Sequence, residues 1–596
     1  MLILLRALLF VFLLFLSSSF SCAAEKKIVA MAYHDVVERK DQLTSDAVTL
    51  DTLINHFEWL LASGYQPVSI SDLIAARVGE KTLPNKPILL CWDDGYTSFF
   101  THVLPLLKAY NFPAVLALVG EWMSASDDGT VLYGSTYVPR EKFLSWQQVK
   151  AVQQSGLVEI ASHSMNLHSA LMADSSGDML PATITHAFDQ ATSLYESDVD
   201  YRGRIRMDLE SNSRLMAQHL GERPRVMVWP FGRYNEFALE IAHDVGMEVT
   251  LTLDPVSGTV ENLMALGRVY PTLNPETGVL RANLEMNYTP PLRRLMKVKM
   301  LDLIEEDTDT EVQFSKLLER VHTLQVGGVI FEPIIEIDGK IHAMFTNNSL
   351  PVAQDRLLRL LWQTDRRGGA ESILWLSNEI FNIEKQNRPP EISEKLPISL
   401  FDDLGKAAPC SGIIIDHLPF AKLLFGFVEE SSSTYGKILY ETDTLKKKAV
   451  RNAWRADERL PADTRGILEN IGKIQKWQPF TEVGLLVSPQ MLAEVSDKQM
   501  AAILSGFDYL LLDLRGNQTL PNKSVAEAFR PYLVPMIQYE NENNNGGKKL
   551  AQQFGQLTRE GFINHAYASD HFLDNSPAPS TVRESISTRT FPVSPK

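Results

Sequence analysis

Four short apolar runs before residue 233 each end in a polar cluster: residues 27–35 (KIVAMAYHD), 87–96 (PILLCWDDGY), 158–168 (VEIASHSMNLH) and 225–232 (RVMVWPFG). Each reads as a buried strand closed by turn residues. Strands that carry polar side chains only at their carboxyl ends point to an α/β fold of the (β/α)-barrel type, because that rim is where such folds gather reactive groups. One His, two adjacent carboxylates and a His pair on a single rim suit a metal-assisted hydrolytic site.

Helical patterns separate the runs. Residues 50–64, 146–156, 202–220 and 237–246 read as helices, the last with apolar side chains three and four apart and a Gly stop. A basic, Pro-bearing stretch at 288–299 (YTPPLRRLMKVK) reads as a hinge, and beyond it the alternation resumes. Helices are expected at 312–324, 351–362 and 445–460, and strands at 328–335, 372–377, 412–416, 483–488, 509–514 and 532–539. A chain of 596 residues fits two domains, the second also barrel-like. The expected division is a leader at 1–24, a first domain at 25–288, a second at 296–575 and a mobile tail at 576–596; residues 540–549 (ENENNNGGKK) read as a polar loop.

The formal charge of −16 argues against a nucleic-acid partner, which would call for a basic face. It suits a cationic partner such as a polymer bearing free amines, although acidity alone is common among soluble proteins. The leader has one Arg, an apolar stretch and then small residues, which reads as an export signal rather than a membrane anchor. Two processing routes stay open: signal-peptidase cleavage after small residues at 21–24, or cleavage before Cys22 with lipid on that residue. The chain's three cysteines, Cys22, Cys91 and Cys410, indicate neither a disulfide framework nor a Cys-based zinc cage.

Adjacent residues on a regular strand point to opposite faces, so Asp93 and Asp94 serve one site only if the backbone turns, and Gly95 supplies that freedom. An Asp-Asp-Gly triplet is more often a surface turn, but this one follows a core strand, where unpaired carboxylates are costly and a metal is one available partner. His163 and His168 would stand about 140° apart on a helix, so they converge only from a strand end and its loop. Two imidazoles and a carboxylate form the usual ligand set of a catalytic divalent ion. His34, a residue type that is more often structural at such a position, would face the same cavity and suit a general acid.

Residues 91–96 (CWDDGY) resemble the Thr-Phe-Asp-Asp-Gly motif of NodB-type polysaccharide deacetylases, and residues 163–168 (HSMNLH) resemble their paired metal-binding histidines. The layout is similar to one branch, the periplasmic poly-β-1,6-N-acetyl-D-glucosamine N-deacetylases of the PgaB/HmsF type. The matching stretches are 64–70, 88–100, 146–149, 160–168, 201–208 (YRGRIRMD) and 228–232 (VWPFG), with a fainter likeness to the end at 567–575 (YASDHFLDN). The resemblance implies Asp93 as general base, His34 as general acid, and Asp94, His163 and His168 as ligands of a divalent metal. Zinc comes first, with nickel, cobalt or iron as alternatives. It implies a substrate pocket with Tyr96, a backbone N–H near Tyr96 that would hold the oxyanion, and Trp229, Pro230 and Phe231 as its wall. Val228 stands where the family's usual Arg would be, so whatever orients Asp93 comes from elsewhere.

The same resemblance implies N-deacetylation of an exported poly-N-acetylglucosamine in the periplasm, in support of biofilm formation. It also implies an outer-membrane export porin as partner, while a lipid anchor at Cys22 stays one of the two open processing routes. Chitin-like or peptidoglycan glycans are the alternative substrates, and a non-catalytic polysaccharide-binding export module is the alternative function. In this branch the second domain resembles a glycoside-hydrolase barrel with a Gly-Ile-x-x-His-Asp-Asp run. Residues 412–418 here read GIIIDHL, so Asp416 and His417 fall on the His-Asp pair in swapped order and Leu418 replaces the last Asp. Asp416 is the candidate carboxylate, with Asp513 or Glu332 as a second, and polymer binding is expected over cleavage.

Overall fold

The apolar runs form the strands of two separate parallel sheets. The computed structural model describes residues 27–254, 258–285, 291–304, 310–386, 399–430, 444–516, 520, 527–540 and 545–588. The expected leader and Cys22 lie outside the described residues. The chain divides into two compact units that interleave along the sequence. The first contains residues up to His168, Arg206–Arg233 and Ile241–Met286; the second contains Ser169–Ile205, Tyr234–Glu240 and the chain from Asn287. Among the described residues no helix is long and apolar enough to cross a membrane.

In the first unit, β1 (Val29–Tyr33), β2 (Pro87–Trp92), β3 (Ala114–Leu118), β4 (Val158–Ser162), β5 (Val226–Val228) and β6 (Val249–Leu251) lie side by side in chain order, all parallel. A two-residue strand, Gln66–Pro67, adds to β2. Alternation along the strands builds two cores, as a parallel sheet covered on both faces requires. Ala30, Leu89, Cys91, Val115, Ala117, Ala161, Val226 and Val228 share the inner face, and Met31, Leu90, Trp92, Leu116 and Ile160 meet the helices outside. A non-strand segment bridges the two edges of this curled sheet. Leu266 exchanges backbone hydrogen bonds with Thr250 and Thr252 beside β6, and Val269 does so with Ala30 and Ala32 on β1. The four expected helices are present as α1 (Leu50–Ala62), α2 (Trp146–Gln153), α3 (Asp198–Leu220) and α4 (Glu236–Asp244). Thr49 caps α1, and Ser145 with Gln148 closes a capping box on α2.

The second unit holds a closed barrel of eight parallel strands. They are β7 (Arg294–Val298), β8 (Gly328–Phe331), β9 (Glu371–Ser377), β10 (Gly412–Asp416), β11 (Glu482–Val487), β12 (Tyr509–Asp513), β13 (Leu533–Gln538) and β14 (His565–Asp570), which pairs back onto β7. Alternate residues fill the interior: Leu295, Ile330, Ile373, Trp375, Ile414, Leu486, Tyr509, Leu511, Val534 and Met536 form one buried cluster. A Cβ on Gly484 would sit 2.5 Å from the Tyr509 ring, so the barrel is a packed core and not a pore.

Four local expectations change. The hinge at 288–299 is in part a barrel strand, because Leu295, Met296 and Val298 are apolar enough to be fully buried. The helix expected over 351–362 is confined to Leu357–Gln363, since Pro351 and Ala353 hydrogen-bond to the Ala343 backbone instead. The polar loop at 540–549 gives way at Gly546 to a helix, Gly546–Arg559, whose Leu550, Phe554 and Leu557 recur at helical spacing and are buried. The tail is not mobile throughout: Pro579–Ile586 is a helix that buries Val582 and Ile586.

Candidate active site

The site lies at the carboxyl ends of the first unit's strands, and their alternation chooses its residues. Cys91 and Ala161 face inward, so Asp93 and His163, two residues on, face inward too, and His34 continues the inward series from Ala30. Backbone pairing persists just past the strand ends, with Asp93 N–H donating to Tyr33 O (2.9 Å) and His163 N–H to Leu118 O (2.9 Å). The chain then turns sharply. Asp94 has φ 73° and Gly95 φ 74°, so the left-handed conformation falls on Asp94 itself as well as on the glycine. Gly95 also has no room for a side chain, since a Cβ would lie 2.7 Å from Leu118 Cδ2.

The turn aims Asp94 at both histidines. Its Oδ1 lies 3.5 Å from His163 Nε2 and 3.5 Å from His168 Nε2, longer than a well-formed N–H···O bond. That oxygen is buried and has no hydrogen-bond partner among the described residues. Donor atoms bound to one tetrahedral divalent ion at about 2.1 Å stand about 3.4 Å apart, so the residues fit such an ion. Among the described residues this trio is the one group of three such side chains that could hold a metal. The hydrogen bonding suits a ligand. His163 Nδ1 is 2.7 Å from Val228 O; a carbonyl only accepts, so Nδ1 carries the hydrogen and Nε2 is the atom turned to Asp94. Burial opposes a charge on this ring, but Asp94 and Asp93 outweigh it and raise its pKa above the usual value. Burial pushes His168 down to about 4, which keeps it neutral. Burial works against the Asp94 charge, but His168 and His163 outweigh it and hold the carboxyl below its usual range. Tyr133 donates to Asp94 Oδ2 (3.0 Å), and burial together with the Asp94 charge raises its phenol well above the usual value, so it stays a donor.

Asp93 has a different environment. Arg268 Nη1 donates to its Oδ1 at 2.6 Å, Cys91 Sγ lies 3.2 Å from the same oxygen, and His34 Nε2 is 4.0 Å from Oδ2. Burial favours the neutral acid, but Arg268, His163 and His34 overcome it and hold Asp93 at about 2. The His34 ring packs against Tyr270 at 4.7 Å. The structure therefore brings His34, Asp93, Asp94, His163 and His168 into one site.

The pocket wall is aromatic. Trp122 packs 4.9 Å from His168, Phe231 4.5 Å from its ring, and Tyr96 packs on Tyr133 and Phe143. Trp229 and Pro230 are buried, whereas Phe231, at φ 58°, is 41% exposed; of these three only Phe231 offers a face to a ligand. Residue-level reading missed Arg268 and Tyr133. An Arg inside the apolar run 263–270 (LMALGRVY) is a signal of a buried ion pair; nothing comparable marks Tyr133.

In the second unit, Asp416 ends β10 and accepts from Trp375 Nε1 at 3.1 Å. Asp513 pairs with Arg515 (2.7 Å) and Glu332 with Lys297 (2.8 Å). Both cations lie 5.1 Å from the Trp375 ring centre. Burial raises the Asp416 carboxyl, with Arg515 opposing and Asp513 adding to the shift. The three carboxylates chosen from the sequence thus share one rim around Trp375.

Residues 80–250 match the family model described as polysaccharide deacetylase. The chain is 25% identical, over 638 aligned residues, to a poly-beta-1,6-N-acetyl-D-glucosamine N-deacetylase of Escherichia coli strain K12, covering 95% of this chain and 92% of that protein. Among solved structures it is similar to a de-N-acetylase from Aggregatibacter actinomycetemcomitans (34% identity, 44% of this chain and 100% of that one, TM-score 0.41). It is also similar to the BpsB deacetylase domain from Bordetella bronchiseptica (36% identity, 41% of this chain and 94% of that one, TM-score 0.38).

Proposed function

We propose, from the premise that this chain belongs to the polysaccharide deacetylase family, that it is a metal-dependent hydrolase that removes N-acetyl groups from poly-β-1,6-N-acetyl-D-glucosamine. The observation that carries the reading is the buried Asp94 Oδ1, which has no hydrogen-bond partner among the described residues and faces two imidazole nitrogens at 3.5 Å, with Asp93 next to it in sequence.

Asp94, His163 and His168 hold the ion, which when bound supplies a water of lowered pKa and polarises the acetamide carbonyl. Asp93 takes the proton of the attacking water through Oδ2, because Arg268 occupies Oδ1 and fixes the carboxylate plane. A backbone N–H near Tyr96 would help to hold the developing oxyanion. His34, on the other side of Asp93, gives a proton to the departing amine, which is a poor leaving group until protonated. Phe231 and Tyr133 bound the sugar and exclude water. Zinc suits the donor set, as do nickel, cobalt and iron.

The test is acetate release from β-1,6-linked N-acetylglucosamine oligomers, compared with β-1,4 oligomers, with and without chelator. Chelation is expected to abolish release and zinc, nickel or cobalt to restore it, with Asp94→Asn and His163→Ala inactive throughout. Release that survives both the chelator and these substitutions would overturn the reading.

The apolar, Arg-bearing leader supports export to the periplasm, with lipid on Cys22 as the means of retention and an outer-membrane export porin as the partner that takes the polymer. The intact mass of the mature chain separates a lipidated Cys22 from simple cleavage. In the second barrel two of the three rim carboxylates are neutralised by cations, which favours polymer binding over hydrolysis, a reaction that needs two poised carboxyl groups. Deacetylated oligomers are expected to bind without shortening.

A further inference from the structure

We propose that Asp208 is a positioning residue for the metal-binding histidines: its carboxylate fixes the 164–167 loop that turns His168 back towards His163. This rests on the reading that Asp94, His163 and His168 hold a divalent ion.

The two histidines are held very differently. His163 follows β4 directly and is anchored through Nδ1 to Val228 O at 2.7 Å. His168 Nδ1 has no hydrogen-bond partner among the described residues, and its ring is placed by packing against Trp122 and Phe231. Its position therefore depends on the backbone that delivers it. That backbone reverses at Ser164, with φ 71°, and the next two residues point their N–H groups the same way. Asp208 Oδ1 accepts from Met165 N–H (2.8 Å) and Oδ2 from Asn166 N–H (2.7 Å).

The opposite side of the loop is also fixed: Gly120 N–H donates to Ser164 O (3.0 Å) and Glu121 N–H to Met165 O (2.9 Å). One turn along α3 from Asp208, Asn212 Nδ2 donates to Ser162 Oγ (2.8 Å) and Leu118 O (3.3 Å), holding the strand ends on which the loop is built. A carboxylate is suited to position 208 because adjacent N–H groups need two acceptors. An amide there would turn a donor towards one of them. Asp208 closes the 201–208 stretch (YRGRIRMD), for which the chemistry of the site has no other use.

The experiment measures Zn2+ affinity of the full exported chain by competition with a chromophoric chelator, and the absorption spectrum of the Co2+-loaded protein. Asp208→Asn and Asp208→Glu are both expected to weaken Zn2+ binding at least ~10-fold and to alter the Co2+ spectrum. Their far-UV circular dichroism and melting in chelator should match the unsubstituted chain. The Glu variant keeps the charge but moves the acceptor pair, so full recovery of affinity with Glu would mean a charge effect and overturn the positioning role. Wild-type affinity in the Asn variant would overturn it as well. If the unsubstituted chain binds no Zn2+, the metal-site reading itself fails; if it binds and the variants bind equally, only the Asp208 assignment falls.

Discussion

Arg268 explains how a buried carboxylate can remain the base of this site. Asp93 is almost fully enclosed, and burial alone would neutralise it; the 2.6 Å bond from an equally buried guanidinium keeps it charged and turns one oxygen away from the pocket. Arg268→Met removes the cation and leaves that charge unpaired, a change worth about 3–5 kcal/mol in buried pairs. It is expected to lower the melting temperature by several degrees and acetate release by roughly 100-fold. Arg268→Lys keeps a point charge without the planar fork and should recover part of the stability but little of the activity. Equal activity in the Met variant would show that Asp93 needs no such partner. His34, Asp93 and His163 were legible because strand alternation alone puts them on the inner face. Arg268 was not, because it sits on the non-strand segment that bridges the sheet edges, 175 residues from its partner.

In the first unit, strands that end in polar clusters announced themselves, and the two core strands that do not were missed. Ala114–Leu118 runs on into Val119 and Gly120, and Val249–Leu251 into Thr252 and Leu253, so neither ends in a cluster. Helices were found where the apolar stripe was clear, yet the start of α3 depends on charge. Asp198, its first residue, receives hydrogen bonds from His186 (3.1 Å) and Lys406 (2.9 Å). The His186 bond is the main cause that holds its carboxyl down at about 2, with partial burial opposing and Lys406 assisting. A carboxyl depressed in the folded state stabilises it above the ordinary value near 3.8, and that contribution is lost as pH falls from about 4 towards 2. Asp198→Asn should therefore melt below the unsubstituted chain at pH 7 and converge with it near pH 2. Melting curves that stay parallel across that range would contradict this role for Asp198.

Two barrels in sequence suggest two separable domains cut near residue 288, but the compact units do not follow the sequence so simply. Residues 169–205 and 234–240 cluster with the second unit although they precede its first barrel strand. The reason is chemical. Asp178 pairs with Arg359 (2.8 Å) and Gln363, Tyr195 donates to Asp355 (2.6 Å), and Lys448 pairs with Glu236. Phe237 packs on Trp477 at 4.3 Å, and Tyr201 at 5.8 Å. None of these partners is near in sequence, so no local pattern reveals them. A chain ending at 288 strands all of these groups: Asp178, whose side chain is 4% exposed, loses its cation, and Phe237 and Tyr201 lose their aromatic neighbour. A buried ion pair broken from one side costs about 3 kcal/mol, or roughly 10 °C of melting temperature for a unit of this size. The truncated chain is thus expected to melt at least that much lower than the first transition of the full chain. Trypsin should cut it first at Arg202 or Arg204, positions it leaves intact in the full chain under the same conditions. A 25–288 fragment with unchanged melting and unchanged protease resistance would mean that the first domain folds without these partners, and that the sequence boundary is also the physical one.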